Sequence, residues 1–138
     1  MKMAGLVVEL KQNEMIIING AAIRFRTKSR VEITGKAQFL YGKQILLPED
    51  ANTPAALIYL AVQTAYIGNF DERIKAIDEA QNLVAQFKSQ TKSALAGDIL
   101  DKIMVLVETQ QCYEALKLAR RIMQHEAALP EARYRCER

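Results

Sequence analysis

The sequence predicts an α+β fold, in which a small antiparallel β module precedes a bundle of about four helices. Apolar and polar residues alternate over the first 47 residues, which is the period of half-buried strands. From Pro48 onward, apolar residues recur at spacings of three and four, which is the period of amphipathic helices. Strands that all precede the helices favour an α+β fold over a parallel α/β sheet. We therefore expect residues 1–47 to form the β module and residues 48–138 to form the helical bundle.

Short alternating segments and turn residues define five or six strands in the β module. Leu6, Val8 and Leu10 are predicted to share one face of the first strand, because successive side chains of a strand point to opposite faces. Asn19-Gly20 predicts a tight type I′ hairpin, since both residues tolerate a positive φ angle. The remaining β segments are predicted at 21–27, 31–34, 39–41 and 45–47, with turns at 12–14, 28–30 and 35–36.

Capping residues define the predicted helices. Thr53 followed by Pro54 is typical of a helix start, and Gly68-Asn69 is typical of a helix end, so one helix is expected over Ala55–Ile67. Asp71 and Ser93 are the predicted N-caps of the second and third helices, and the fourth begins near Gln111. The apolar residues expected inside these last three helices are Ile74, Ile77, Leu83, Val84, Phe87, Leu95, Ile99, Leu100, Ile103, Leu106, Val107, Leu116, Ala119, Ile122 and Met123.

Composition and charge exclude several classes of protein. The chain has 138 residues, of which 50% are hydrophobic and 25% charged, so it is not a disordered or low-complexity sequence. Its longest uncharged stretch, 51–70, has an apolar centre that would be about 20 Å long as a helix, shorter than the ~30 Å core of a bilayer. We therefore expect a buried helix, no membrane span and a cytoplasmic protein.

The residues that usually carry catalysis or bind metals are few. Cys112 and Cys136 lie 24 residues apart, and the single histidine, His125, has no ligand spacing to either, so we expect reduced thiols and no metal site. Asp98 and Asp101 share a helix face, which is typical of a solvated surface when no base or nucleophile lies near. No phosphate-binding loop or hydrolase motif occurs. We expect neither a cofactor nor an enzymatic activity.

A basic segment is the main candidate for a binding site. Residues 1–50 hold eight Lys/Arg and five Asp/Glu, whereas 51–138 hold eleven of each. In an extended strand, the period-two series Arg24, Arg26, Lys28 and Arg30 would place its side chains on one face, about 6.6 Å apart. Lys36 and Lys43 would extend this patch, and Phe39 and Tyr41 would be available to stack on unpaired bases. The pattern predicts binding of single-stranded nucleic acid; the alternatives are a solvated sheet surface or docking to an acidic protein.

The helix predicted over 55–67 is apolar almost all round. Such a helix is either central in its bundle or presents part of its surface to a partner. In the second case, Leu57, Tyr59 and Tyr66 are the candidate partner-binding residues. The occupant would be a second copy of the chain, giving a homo-oligomer, or a helical partner protein.

Two segments resemble a known family. The first is Glu14-Met15-Ile16-Ile17-Ile18-Asn19-Gly20-Ala21 followed by Ile23, and the second is ILLPEDANTPAALIYLAVQTAYIGN from Ile45. The acidic-Ala-x-Thr-Pro stretch that leads to Ile58-Tyr59, followed by Gln63 and Tyr66, is the most specific part. Together they are similar to the flagellar biosynthesis regulator FlbT, and the similarity extends in length and order over essentially the whole chain.

The resemblance implies a cytoplasmic post-transcriptional regulator of flagellin that is not an enzyme. It implies association with the 5′ leader of flagellin mRNA, with repression of translation or faster decay of the message as the result. It also implies a genetic partner, the small protein FlaF. Binding to a FlaF-like protein or to flagellin itself, with an indirect effect on flagellin output, is the alternative function.

Overall fold

The computed structural model describes residues 5–35 and 37–128. Backbone proximity divides the chain between Ile45 and Leu46. We call the first part the β unit and the second part the helical unit, and each is described by itself. The β unit contains five strands among its described residues: β1 (Gly5–Leu10), β2 (Met15–Ile18), β3 (Ala21–Arg24), β4 (Ser29–Thr34) and β5 (Phe39–Tyr41). The helical unit contains α1 (Pro54–Ile67), α2 (Phe70–Gln90), α3 (Ala94–Glu108) and α4 (Cys112–Ala128). This order of elements confirms the predicted α+β fold class.

The first four strands form one bent β-hairpin. β1 pairs antiparallel with β4, and β2 pairs antiparallel with β3, in the same register, so that Leu10 lies opposite Ser29 and Met15 opposite Arg24. Residues 11–14 and 25–28 interrupt the two arms at the same level, and we call these two segments the elbow. β5 adds to the other edge of β2, which gives a sheet of two strands and a sheet of three.

The bend encloses the core of the β unit. Val8 and Leu10 of β1 and Ile16 of β2 are at most 1% exposed and form one cluster. Half-buried residues of both sheets pack against this cluster; they are Ile18, Phe25, Val31, Ile33, Phe39 and Tyr41. The predicted face of β1 is right for Val8 and Leu10 and wrong for Leu6, which is 51% exposed.

Turn chemistry explains the end of the hairpin. Asn19 and Gly20 have φ angles of 50° and 85°, so the predicted type I′ turn is confirmed. Three other β predictions are wrong. The strand predicted over 21–27 ends at Arg24, the turn predicted at 28–30 lies earlier in the elbow, and 45–47 is not a strand but lies between 3₁₀ turns at Gly42–Gln44 and Pro48–Asp50.

The caps of the helical unit agree with the sequence in two cases and differ in one. The Thr53 hydroxyl accepts a hydrogen bond from the Ala56 N–H (3.2 Å), and the Ser93 hydroxyl accepts one from the Ala96 N–H (3.1 Å), which confirms both predicted caps. The prediction of Asp71 as a cap is wrong. Asn69 caps α2 instead, because Glu72 lies three residues after it and completes a reciprocal capping box.

α1 is the central helix of its unit. Its main neighbours are α2 and α4, and nine of its residues are buried, distributed around the whole helix. The largest fully buried side chains elsewhere in the bundle include Leu100, Ile103 and Ile122, as predicted. Ile74 and Leu95 are 55% and 58% exposed, so their predicted core positions are wrong.

Two buried polar side chains hold the start of α1 and the segment before it. The Gln63 amide accepts from the Leu46 N–H (2.8 Å) and donates to the Leu46 carbonyl (3.0 Å). The Glu126 carboxylate accepts from the Ala55 N–H (3.2 Å) and is 8% exposed. A carboxylate at a helix N-terminus satisfies a backbone donor that has no partner within the helix, so α4 contributes the charge that α1 needs there.

Candidate nucleic-acid interface

Backbone hydrogen bonds build the elbow. The Asn13 N–H donates to the Phe25 carbonyl (2.7 Å), and the Phe25 N–H donates to the Glu14 carbonyl (2.9 Å). Asn13 has a φ angle of 70°, which lets the chain turn between β1 and β2. The Glu14 carboxylate accepts from the Lys11 N–H (2.8 Å), so this acidic side chain is bound within the turn. These bonds bring the loops 11–14 and 25–28 together at one level of the hairpin.

The elbow and the strand ends beside it are rich in exposed cations. Lys11, Arg24, Arg26, Lys28 and Arg30 are all exposed. Lys11 directly follows Leu10, and Lys28 directly precedes Ser29, the residue paired with Leu10, so the two lysines lie at neighbouring positions of the two arms. The carboxylates of this region are Glu9 and Glu14, so positive charge is in excess.

The predicted geometry of the basic series is wrong. Arg24 lies at the end of β3 in the three-stranded sheet, and Arg30 lies on β4 in the two-stranded sheet, with the bend between them. The four cations therefore do not lie on one continuous strand. The reason is long-range, because the hydrogen bonds of Phe25 to the opposite arm interrupt the alternation of the sequence.

The cations differ in their partners. The Arg24 guanidinium donates to the Asn13 carbonyl (2.8 Å) and to the Met15 sulfur (3.5 Å), so it stabilises the turn. Arg30 lies 3.7 Å from the Glu9 carboxylate, and because both side chains are about 70% exposed this pair is weak. Arg26 and Lys28 form no hydrogen bond or ion pair with any described side chain. These two cations are the most available to a ligand.

Lys43 lies beside the elbow. Its neighbour Gly42 has a φ angle of 55°, and a Cβ atom there would lie 3.2 Å from the Glu14 Oε2 atom. Lys43 is exposed and already has a contact within the chain. The other predicted extension of the patch, Lys36, falls outside the described residues.

Aromatic residues do not provide a stacking surface in the β unit. Its aromatic residues are Phe25, Phe39 and Tyr41, and all three are half-buried against the core cluster. Phe39 and Tyr41 stack on each other with their ring centroids 6.4 Å apart. The elbow therefore presents charges suited to phosphates, without exposed rings suited to bases.

The partner-binding residues predicted on α1 do not form one surface. Leu57 is 39% exposed, but Tyr59 is 3% exposed and its hydroxyl accepts a hydrogen bond from Arg120 (3.0 Å). Tyr66 is half-buried and packs against Tyr113, with the ring centroids 5.4 Å apart. α1 is thus a core helix, and Tyr59 faces its own bundle.

Sequence reasoning missed a pair of exposed apolar residues in the first turns of α2. Phe70 is 74% exposed at the start of α2, and Ile74, one turn later, is 55% exposed. Helical spacing alone assigns Ile74 to the core stripe, because it cannot show which neighbours reach the first turn. Phe70 carries no sequence signal that distinguishes it from a core residue.

The remaining titratable groups do not suggest a reaction. Burial raises the pKa of the Cys112 thiol, and the Arg73 charge opposes part of this rise. The His125 Nε2 atom is buried and has no hydrogen-bond partner among the described residues. Within 5–35 and 37–128, no cluster of three or more His, Cys, Asp or Glu residues is suited to a metal ion. No helix in that part of the chain is long and apolar enough to cross a bilayer.

Sequence comparison identifies the family. Residues 6–129 match the pattern of the family described as "Flagellar protein FlbT". This chain belongs to the FlbT family. The match covers both units, and it confirms the resemblance noted from the two segments that begin at Glu14 and Ile45.

Curated relatives agree with this assignment. A protein of Chelativorans sp. (strain BNC1) is 38% identical over 116 residues, which cover 82% of this chain and 77% of the relative. A protein of Mesorhizobium japonicum is 34% identical over 118 residues, covering 83% of this chain and 78% of the relative. One of Brucella abortus (strain S19) is 33% identical over 122 residues, covering 88% and 80%. Each of the three is named "Probable flagellum biosynthesis repressor protein FlbT". No solved structure matches.

The family is regulatory. The names of its members describe a repressor of flagellum biosynthesis and no chemical reaction, which agrees with the expectation that this chain is not an enzyme.

Proposed function

We propose that this chain represses flagellin synthesis by binding the 5′ leader of flagellin mRNA through the cations of the elbow. The observation that carries the proposal is the exposure of Arg26 and Lys28 on a bend with excess positive charge, without an ion pair among the described residues. The relatives named as flagellum biosynthesis repressors support the regulatory part of the proposal. The choice of flagellin mRNA as the target follows from the resemblance to the FlbT family that was noted from the sequence.

Phosphate contacts dominate the proposed interaction. Guanidinium and ammonium groups bind the backbone of RNA, and the counterions that they release make affinity depend on salt. Because the aromatic residues of the β unit are packed in its core, base stacking contributes little at the elbow. Preference for the leader then comes from the shape of a folded RNA, whose phosphates match the bend.

The biological effect follows from occupancy of the leader. A protein bound near the start of the message blocks ribosome access, or it exposes the message to nucleases when translation stops. Neither route requires this chain to make or break a bond. Both make the level of flagellin depend on the fraction of leader that is bound.

The test replaces Arg26 and Lys28, for which the described residues offer no ion-pair partner, and leaves the turn intact. Arg26→Gln with Lys28→Gln removes two phosphate contacts, so we expect the dissociation constant for leader RNA at moderate salt to rise at least 10-fold. The salt slope of the affinity should become shallower by about 1.4 to 1.8, since each contact contributes roughly 0.7 on single-stranded and 0.9 on double-stranded nucleic acid. Arg24 is unsuitable for this test because it stabilises the Asn13 turn.

The matched control changes the same net charge elsewhere. Lys75 and Lys102 are exposed lysines of α2 and α3. The variant Lys75→Gln with Lys102→Gln should keep the affinity within about 2-fold. Equal losses in the two double variants would show that only net charge matters. An unchanged affinity in a folded Arg26/Lys28 variant would exclude the elbow as the site.

A second candidate function is binding to a protein partner, a FlaF-like protein or flagellin. The apolar residues Phe70 and Ile74 favour it, because they are 74% and 55% exposed one helical turn apart, and neighbouring exposed apolar side chains are typical of a protein-interaction site. In this case regulation of the message is indirect. Phe70→Ser with Ile74→Ser should then abolish co-purification of the partner and leave RNA affinity unchanged. If the same variant keeps the partner and loses RNA, the second candidate fails.

A further inference from the structure

β3 is an uncovered edge strand. Its four residues, Ala21–Arg24, are all exposed, and among the described strands it pairs only with β2. Natural proteins commonly protect such edges by keeping them short or by adding charged residues, proline or a bulge. β3 is short and ends on the charged Arg24, but Ala21-Ala22-Ile23 contains no charge and no proline. Ile23 is an apolar side chain that remains 44% exposed. This edge is therefore available to another strand.

The hairpin register shows which backbone groups of β3 are free. The Phe25 N–H and carbonyl both bond to the opposite arm, at Glu14 and Asn13. Because the direction of these groups alternates along a strand, Ile23 and Ala21 also bond towards β2. The N–H and carbonyl groups of Ala22 and Arg24 then point outward. An antiparallel strand that pairs with this edge could therefore form four hydrogen bonds, two with the N–H groups and two with the carbonyl groups of Ala22 and Arg24.

We propose that the occupant of this edge is β3 of a second copy of the chain, paired antiparallel about a two-fold axis at Ile23. Ile23 then lies opposite Ile23 of the second copy, and Arg24 lies opposite Ala22. This register joins all the outward groups of Ala22 and Arg24 and covers the exposed isoleucine with its own equivalent. A register that placed Arg24 opposite Arg24 would bring like charges together and is disfavoured.

The pairing completes the RNA site, and this step rests on the function proposed above. Each copy has its own Arg26 and Lys28, so the continuous sheet of the dimer carries two elbows, one on each side of the axis. The paired segment is only four residues long, so the surface area that it buries is well below the ~1,200–2,000 Å² of a stable interface. The positive charges of the two elbows also repel each other. Association is therefore weak in the free protein and is strengthened by RNA, whose phosphates neutralise both elbows. By linkage, dimer formation strengthens RNA binding by the same factor.

A cysteine cross-link tests the pairing directly. Ile23 occupies a position where the two Cα atoms of an antiparallel pair lie about 4.5 Å apart, within the range of a disulfide. In a Cys136→Ser background, Ile23→Cys should form a disulfide-linked dimer under mild oxidation, and leader RNA should accelerate this reaction. Ala21→Cys is the matched control, because its two copies would lie roughly 13 Å apart along the strands. Equal cross-linking of both variants, or of neither, would overturn the pairing.

A charge variant links the pairing to RNA. Ile23→Lys puts two ammonium groups at the axis, so it should abolish self-association and weaken RNA binding about 10-fold, although it adds positive charge. Ala21→Lys adds the same charge away from the axis and should keep the wild-type affinity or exceed it. RNA binding by Ile23→Lys at wild-type affinity, with no cross-link in the Ile23→Cys variant, would overturn the pairing and leave the proposed function intact. A cross-linked dimer with no affinity for leader RNA would overturn the proposed function and leave the pairing intact.

Discussion

The β unit and the helical unit differ in how many of their side chains are buried and in how much charge they expose. The helical unit has fully buried side chains on all four helices, among them Ile58, Val84, Leu100 and Ile122. In the β unit, the central cluster consists of three buried residues, and most of the polar side chains project into solvent. The first arrangement supplies stability, and the second supplies an exposed charged surface.

This difference between the two units predicts which substitutions change stability and which change ligand binding. A large shared core makes the helical unit sensitive to lost volume and to lost buried hydrogen bonds. The exposed cations of the elbow contribute little to stability, so they are free to serve a ligand. Variants of the helical core should therefore change the free energy of unfolding, and variants of Arg26 and Lys28 should change binding alone.

The largest expected effect is a cavity in the helical core. Leu100 is 0% exposed, so Leu100→Ala should lower the free energy of unfolding by about 2–5 kcal/mol. Urea unfolding followed by far-UV circular dichroism measures the loss. Leu95, on the same helix, is 58% exposed, and Leu95→Ala should stay within about 0.5 kcal/mol of wild type. Similar losses for both leucines would show that α3 does not pack as described.

The next effect concerns the carboxylate at the start of α1. Glu126→Ala leaves the Ala55 N–H without its partner in a buried environment, which should cost about 1–3 kcal/mol. Glu126→Gln keeps an acceptor oxygen and should lose less. Thermal unfolding of the two variants in parallel gives the comparison. A glutamine variant as unstable as the alanine variant would mean that the charge matters more than the hydrogen bond.

A smaller effect is expected at the start of α2. Asn69→Ala removes the side chain that accepts from the Glu72 N–H (2.9 Å), which should cost about 1 kcal/mol. Asn69→Ser keeps a capping oxygen and should be close to wild type. Asp71→Ala serves as a second control, since Asp71 lies inside the helix. If Asp71→Ala proves the more damaging, the cap assignment is incorrect.

The smallest effect is the pH dependence that Cys112 contributes. Burial raises the thiol pKa in the folded chain, so the unfolded chain loses this proton at a lower pH than the folded chain does. The stabilising contribution of the protonated Cys112 thiol to the free energy of unfolding is therefore fully present below the ordinary thiol pKa. It declines as the pH rises above about 9. Cys112→Ala should show a shallower fall in stability between about pH 9 and pH 10 than wild type. Alkylation of Cys112 as fast as that of a free thiol at about pH 8 would contradict its burial.

The sequence predicts the helical unit well because its signals are local. Thr53-Pro54 and Gly68 lie next to the helix that they begin and end, and the structure uses each of them as expected. Glu72, three residues after Asn69, was the readable signal that favours Asn69 over Asp71 as the cap of α2. The exposure of Ile74 depends instead on which helices reach the first turn of α2, and no local pattern encodes that.

The candidate site is predictable only in part. The alternation of Arg24, Arg26, Lys28 and Arg30 shows that the cations are exposed, and all four are. It does not show the bend, because the bend depends on hydrogen bonds from Phe25 to residues eleven and twelve positions earlier. The same bonds bring the Asn13 carbonyl within reach of Arg24, which gives that side chain a structural role.

The salt dependence of RNA binding tests the central claim most directly. The wild-type protein is titrated with flagellin leader RNA and with a scrambled RNA of the same length, over a series of salt concentrations. We predict tighter binding to the leader and a log–log slope at least as steep as about −1.4, from Arg26 and Lys28 of one elbow. A slope near zero, or equal affinity for the scrambled RNA at moderate salt, would contradict direct recognition by the elbow.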